Sequence, residues 1–213
     1  MTELAAGLSI VPGGPIEQVS DATSVVAGRI FPNKIVFRYD TVRFGVRRLV
    51  ENFFGTADLE HLHETPWFEG PGTPKKRSLA VGREARAAIA EPAAVMLRDL
   101  IYEHIATFIG PIISHQTDAM LRVNFAGSRA VLRFHRDSEY GEQPNQMNVW
   151  IPITRVFGSN SMYLESTKFA SDFTPVTLDY GQAIIFRGYD LLHGNLDNRS
   201  GSTRISYDLR FAI

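Results

Sequence analysis

The first feature that this sequence lacks is cysteine, of which its 213 residues contain none. Without cysteine there is no disulfide, no thiolate metal site and no cysteine nucleophile, while either redox compartment stays compatible with the chain. A chain of this length can bury a substantial core without such crosslinks. We therefore expect one domain over residues 1–213.

A dominant sign of charge is also missing. The chain has 22 Lys and Arg against 23 Asp and Glu, a formal net charge of -1, so no long-range field favours a nucleic acid or an anionic membrane. The first twenty residues lack the pattern of a signal peptide, and no eighteen apolar residues run together. We expect a cytoplasmic protein with a small-molecule substrate and no nucleic-acid or membrane partner; the oligomeric state stays open.

The first half of the chain has an irregular start followed by helical patterns. Residues 1–20 contain Pro12-Gly13-Gly14-Pro15 and are predicted to form a flexible arm. Residues 21–119 are predicted to be a helical support region that packs on a sheet. Apolar residues at helical spacing predict one helix after a capping Asp40 and another with Pro92 in its first turn.

From residue 120 the pattern changes to short strands separated by turns. The predicted strands are residues 120–125, 130–135, 148–153, 161–164, 174–178, 183–186 and 203–213. Short strands at this spacing favour a sandwich or a jelly roll over a parallel sheet. With helices first and strands later, the chain is predicted to be α+β, with residues 120–213 as its sheet core.

Two histidines and one aspartate have the pattern of a metal site. His135-Arg136-Asp137 closes an apolar stretch, and side chains two apart in an extended segment point to the same side. His193 follows the predicted strand at residues 183–186. Two imidazoles and a carboxylate are the ligands of non-haem Fe(II) sites that leave positions open for oxygen and a chelating co-substrate.

A candidate carboxylate anchor follows the second histidine. Arg204 lies eleven positions after His193, and Ser206 has the same strand parity. A guanidinium can bind a carboxylate bidentately, with the serine hydroxyl beside it. The pair is therefore a candidate dicarboxylate anchor.

This order of motifs resembles the Fe(II)/2-oxoglutarate-dependent dioxygenase superfamily, whose signature is HxD, a distal His and then RxS. The chain looks most like the phytanoyl-hydroxylase-like branch and the small bacterial oxygenases that tailor natural products. The resemblance implies a double-stranded β-helix, the cupin-like jelly roll. One departure is Glu165-Ser166-Thr167-Lys168, which replaces the branch's usual Pro-Gly-Ser-His.

The resemblance also implies roles for individual residues. His135, Asp137 and His193 would hold Fe(II) and so be catalytic, while Arg204 and Ser206 would hold the far carboxylate of 2-oxoglutarate. Further candidates for contact with this co-substrate are Trp150, Asn124 and Asn148; core packing, turn formation or substrate contact are the alternatives for these three.

Two segments rich in Gly, Pro and charged residues, residues 64–76 and 138–146, are predicted to cover the site as lids. They provide Trp67, Tyr140 and Glu142 as candidate substrate contacts, and Arg122 is a fourth on a predicted strand. For Trp67, a plug over the core is the alternative to a lid.

The resemblance implies that O2 and 2-oxoglutarate are consumed, that succinate and CO2 are formed, and that a polar small molecule is oxidised. Hydroxylation is favoured, with desaturation, epoxidation and cyclisation open. Asp137 argues against halogenation, since related halogenases have a small residue there. The alternatives are an iron oxidase of this fold that does not use 2-oxoglutarate, and a metal-binding jelly-roll module without turnover.

Overall fold

A computed structural model of the chain describes residues 14–131 and 133–213. Its strands are β1 (Ile16–Val19), β2 (Thr23–Val26), β3 (Arg29–Pro32), β4 (Lys34–Arg38), β5 (Ser114–His115), β6 (Met120–Asn124), β7 (Gln146–Pro152), β8 (Met162–Leu164), β9 (Thr174–Pro175), β10 (Gln182–Phe186), β11 (His193–Asn195) and β12 (Arg204–Ala212). Its α-helices are α1 (Val46–Phe54), α2 (Pro74–Asp99) and α3 (Ala106–Ile109), with the π-helical segment Leu100–Ile105 between α2 and α3. Short 3-10 helices are Leu62–Glu64, Asp137–Tyr140 and Gly158–Asn160.

The larger sheet is antiparallel and has the strand order β1-β4-β10-β7-β12-β5, with β6 also paired to β12. A hairpin of β2 and β3 stands apart from it. Strands β11, β8 and β9 form a second, three-stranded antiparallel sheet. The architecture is therefore helices combined with antiparallel sheets, as the α+β prediction requires.

Strand β12 has apolar side chains on one face and polar side chains on the other. Its side chains alternate between the two faces because strands have a period of two. Ile205 and Leu209 join the main hydrophobic core, which includes the buried residues of the helices. The polar side chains of Arg204, Ser206 and Arg210 have the opposite parity and face the second sheet.

A smaller apolar cluster lies between the two sheets. It joins Val36, Trp150 and Phe186 of the larger sheet to Met162 and Leu164 of β8. At about 25 cal/mol per Å² of buried apolar surface, such contacts hold the two sheets against each other. The polar side chains of β12 lie at one side of this cluster, which fixes where a site can form.

Helix α2 begins at Pro74, so the predicted start near Pro92 was wrong. The Thr73 side chain caps the helix by accepting a hydrogen bond from the backbone nitrogen of Lys76. Pro92 lies inside the helix, where it removes the hydrogen bond to the carbonyl of Ala88. Both residues are exposed, so water can satisfy that carbonyl and the helix continues.

Helix α1 begins later than predicted but ends where expected. Asp40 accepts hydrogen bonds from the backbone nitrogens of Val42 and Arg43, so it caps a turn ahead of the helix, whose N-cap is Gly45. Gly55, with a φ of 70°, ends the helix in the left-handed conformation that glycine adopts without strain.

Three further expectations need correction. Residues 16–19 were predicted to lie in an irregular arm but form β1, and residues 1–13 of that arm lie outside the described part. The helical region of residues 21–119 also contributes β4 to the larger sheet. Residues 130–135 do not form the predicted strand; His135 alone of the described residues there makes a β-bridge. Among the described residues, no helix has the length and hydropathy needed to cross a membrane.

Candidate metal centre

The three predicted metal ligands meet in one buried group. One ligand atom each of His135, Asp137 and His193 lies within 4.8 Å of the other two. Oδ1 of Asp137 is 3.6 Å from Nε2 of His135 and 3.7 Å from Nε2 of His193. The two histidines exchange backbone hydrogen bonds of 2.9 and 3.0 Å, and Asp137 follows at the start of a 3-10 helix. A single backbone bridge therefore assembles the group.

Backbone carbonyls orient both imidazole rings. Nδ1 of His135 lies 2.9 Å from the carbonyl oxygen of Arg133, and Nδ1 of His193 lies 3.0 Å from that of Leu191. A carbonyl only accepts, so in the neutral form of each ring Nδ1 carries the proton and Nε2 presents the lone pair. Burial lowers the pKa of His193 and so favours the neutral ring that binds a metal ion.

Asp137 is held by two neighbours on the larger sheet. Asn148 donates to its Oδ2 at 2.7 Å, while Arg210 donates to Oδ2 at 3.2 Å and to Oδ1 at 3.1 Å. Burial disfavours the charge, but Arg210, His193 and Asn148 outweigh this and hold the pKa of Asp137 below its usual value. At Gly188 a Cβ would come within 2.6 Å of Oδ2, so the backbone closes over this oxygen. Oδ1 is left facing the imidazoles.

Asn148 was predicted to contact 2-oxoglutarate or the substrate, whereas its amide donates to the carboxylate of Asp137, a candidate metal ligand. We expect Asn148→Ala to weaken Fe(II) binding by about 10- to 100-fold, the usual effect of losing a partner that orients a ligand. Competition with a chromogenic chelator measures this affinity. Asn145→Ala is the control near the start of β7, and equal affinities of the two variants would contradict the role.

Glu165 joins the two segments that carry the ligands. Its Oε2 accepts hydrogen bonds from Arg136 at 2.8 Å and from the backbone nitrogen of Leu192 at 3.0 Å, and Oε1 accepts from that of Ser171 at 2.9 Å. Arg136 lies between the first two ligands and Leu192 precedes His193. Burial opposes the charge, but these donors together hold the pKa of Glu165 below its usual value.

We expect Glu165→Gln to destabilise the fold by about 3 kcal/mol, because the amide replaces one buried acceptor oxygen with an NH2 donor that faces N–H donors. Since the folded-state pKa lies below the ordinary value of 4.5, the stabilisation is present above that pH and is lost as the pH falls through the folded pKa. Urea unfolding from pH 7 to pH 3 should therefore show a smaller acid loss in the variant. Exposed Glu84→Gln is the control, and identical pH profiles of Glu165→Gln and wild type would contradict the assignment.

The histidines open into a small pocket of about 50 Å³, enough for a few water molecules. Trp150, Phe186 and Met162 form apolar parts of its wall. Arg204 lines the same pocket, so the structure brings the predicted anchoring arginine and the two predicted histidine ligands to one space. Asn195, which sequence analysis missed, also lines it.

Arg204 is a buried cation without an anion. Its side chain is 1% exposed and donates to the carbonyl oxygen of Asn160 at 3.0 Å and to Oδ1 of Asn195 at 3.5 Å. Burial, and then Arg122, lowers its pKa to about 10, so it is still charged at neutral pH. The other two arginines of the pocket have carboxylate partners, Asp208 for Arg122 and Asp137 for Arg210. Within residues 14–131 and 133–213, Arg204 has none.

Other polar atoms around Arg204 also lack partners. Among the described residues, Nε of Arg204, Oγ of Ser206 and Nδ2 of Asn124 are buried without a hydrogen bond. Asn124 pairs with Arg204 across β6 and β12, and the guanidinium lies 6.0 Å from the ring centre of Trp150. Buried donors need acceptors. A carboxylate would supply them, so this group fits one end of a dicarboxylate.

Three of the predicted substrate contacts lie near the pocket. The ring of Tyr140 is 5.3 Å from that of His135, and the residue is 58% exposed. Glu142 pairs with Arg210 at 3.4 Å. Arg122 lines the pocket itself.

Trp67 has a different place. Its ring packs 5.1 Å from those of Phe53 and Phe54, and its Nε1 donates to the carbonyl oxygen of Phe54 at 3.1 Å. It thus plugs the main core and does not line the pocket, so the assignment as a substrate contact is corrected. Of the two predicted lids, residues 138–146 adjoin the metal group, whereas residues 64–76 pack Trp67 on the core.

A buried group of two imidazoles and one carboxylate suits Fe(II), because this set of ligands leaves coordination positions open. The ligand set and its place between the antiparallel sheets make this group a candidate non-haem iron centre.

Comparisons with known proteins give a relative by sequence and a similar fold. No family model matches the chain. The chain is 32% identical over 180 residues to the streptomycin biosynthesis protein StrG of Streptomyces griseus. This match covers 81% of each protein. The fold of this chain is similar to that of EctD from S. alaskensis, which was solved with 2-oxoglutarate and 5-hydroxyectoine. The TM-score is 0.53 at 14% identity, and the match covers 84% of this chain and 72% of EctD. The chain belongs to the family of StrG.

Proposed function

We propose that this protein is an Fe(II)/2-oxoglutarate-dependent dioxygenase that hydroxylates a polar small molecule in natural-product biosynthesis. Arg204 carries the proposal: it is a buried guanidinium with no carboxylate partner among the described residues, in the same pocket as His135 and His193. A metal-binding module without turnover has no need of such a charge. The name of StrG supports a role in biosynthesis, and the 2-oxoglutarate bound to EctD supports the use of this co-substrate.

The residues would divide the work between the two ends of the pocket. Nε2 of His135, Nε2 of His193 and Oδ1 of Asp137 would hold Fe(II), and Arg204 with Ser206 would hold the far carboxylate of 2-oxoglutarate. When bound, iron and 2-oxoglutarate would supply the chemistry by which O2 oxidises an unactivated C–H bond, with one oxygen atom going to the substrate and the other to succinate as 2-oxoglutarate loses CO2.

The other residues of the pocket would exclude water and position the substrate. Trp150, Phe186 and Met162 keep bulk water from the space between the two ends, which strengthens the attraction between Arg204 and a carboxylate. The charges of Arg122 and Arg210 are already paired, so beyond Arg204 the protein offers hydrogen bonds more than net charge. This favours a polar substrate held by hydrogen bonds.

We also infer that the two facing sheets form the double-stranded β-helix of the superfamily, and that residues 1–213 form one domain. Residues 138–146 then act as the lid, since they carry Tyr140 and Glu142 next to the metal group.

The test is oxygen consumption and succinate formation by the Fe(II)-loaded protein. We expect 2-oxoglutarate-dependent formation of succinate, slow without substrate, and its loss in Asp137→Ala. An oxidase of this fold would consume oxygen with substrate alone, and a non-catalytic module would form no succinate with any substrate. Either result would contradict the proposal.

A further inference from the structure

A second cavity, of about 320 Å³, lies on the helix side of the larger sheet. It is bounded by α2, by the turn between β5 and β6, and by Tyr207 of β12. The metal pocket is on the opposite side of β12, because Tyr207 alternates with Ser206 and Asp208. The two spaces are therefore separated by one strand.

The sequence of α2 explains why there is room at this place. At Gly82 the helix lies directly on β6, where a Cβ would be 3.3 Å from the backbone nitrogen of Val123. Further along, the helix presents the methyl groups of Ala90, Ala93 and Ala94 to the cavity. The alanine methyl groups are too short to fill the space between helix and sheet at this part of α2, away from the close contact at Gly82.

Tyr207 supplies a buried polar group that a ligand could satisfy. Its side chain is 2% exposed and lines the cavity, and among the described residues its hydroxyl has no hydrogen-bond partner. A buried polar group without a partner is costly, so most such groups are bonded. Burial raises the pKa of Tyr207, so the hydroxyl is neutral at ordinary pH. It can donate one hydrogen bond and accept another.

The charges at the cavity are balanced. Arg86 forms an ion pair with Asp118, and it also lies 3.6 Å from the sulfur of Met120. Glu91 is exposed on the helix. No buried charge among the lining residues thus calls for a charged ligand, and the alanine methyl groups favour an apolar body.

We propose that this cavity binds a small uncharged molecule with an apolar body along the alanines and one hydrogen-bonding group on the Tyr207 hydroxyl. Alcohols, phenols and amides have this chemistry. The site is independent of the proposed oxygenase activity, since none of its lining residues belongs to the metal pocket.

The test compares benzyl alcohol with toluene, which lacks the hydroxyl, by NMR titration of the full chain. We expect saturable binding of benzyl alcohol and a roughly threefold to tenfold weaker affinity in Tyr207→Phe, the effect of one hydrogen bond. Toluene should bind wild type and Tyr207→Phe equally well. This crossed design separates the hydroxyl contact from a general change in the cavity.

The second part of the experiment uses variants whose larger side chains fill the cavity. Ala94→Leu should reduce benzyl alcohol binding at least tenfold, and Ala90→Leu serves if that variant fails to fold. Ala88→Leu, exposed on the same helix, is the matched control and should bind like wild type. Absence of saturable binding to wild type, or equal binding by the filled and control variants, would overturn the proposal.

Discussion

In the His193→Ala variant we expect Fe(II) binding to weaken by more than about a hundredfold and succinate formation to disappear. Losing a residue that only orients a ligand costs about 10- to 100-fold in metal affinity, so losing one of three ligands must cost more. The fold should persist, because the His135 and His193 backbones still pair and Asp137 keeps Arg210 and Asn148. Chelator competition and circular dichroism measure the two properties.

His61→Ala is the matched control for this experiment. His61 is exposed and its ring contacts Asp58, away from the metal group. The control should keep wild-type affinity and turnover. Full activity in a folded His193→Ala protein would remove His193 from the metal site.

For Arg204→Ala we expect 2-oxoglutarate to bind roughly thirtyfold more weakly or worse. A lost contact to a buried charge costs about 2–5 kcal/mol, and every 1.4 kcal/mol is tenfold. Arg204→Lys should recover only part of the affinity, because an ammonium cannot reproduce the two-pronged contact. Fe(II) affinity should change little, since Arg204 does not contact the ligands, and this separates anchor loss from unfolding.

Exposed Arg199→Ala, in the loop before β12, is the control for a general loss of positive charge. An unchanged Michaelis constant for 2-oxoglutarate in both Arg204 variants would contradict the anchor.

The sequence could predict the parts of the site that reside in short motifs. Residue type and spacing mark the HxD motif, His193, Arg204 and Ser206 as candidates. The structure groups His135, Asp137 and His193, and Arg204 lines the same pocket as the two histidines. Arg210 was missed although it has the same parity on β12 as Arg204. Extending the period of two by two more steps would have placed it on the pocket face.

Contacts between distant segments could not be predicted from the pattern. The partners of Glu165 come from three different segments, and nothing in a single sequence pairs them. Trp67 was ambiguous because a tryptophan suits both a core plug and a lid. The start of α2 was misplaced because an interior proline on an exposed face resembles a first-turn proline.

The most direct test of the central proposal is an anaerobic titration of the Fe(II)-loaded protein with 2-oxoglutarate, watching for a weak visible charge-transfer band. We expect the band to appear and saturate in wild type, to require at least thirtyfold more 2-oxoglutarate in Arg204→Ala, and to be absent in His193→Ala. If wild type binds Fe(II) but 2-oxoglutarate produces no band and no saturable binding, the protein is not a 2-oxoglutarate-dependent oxygenase.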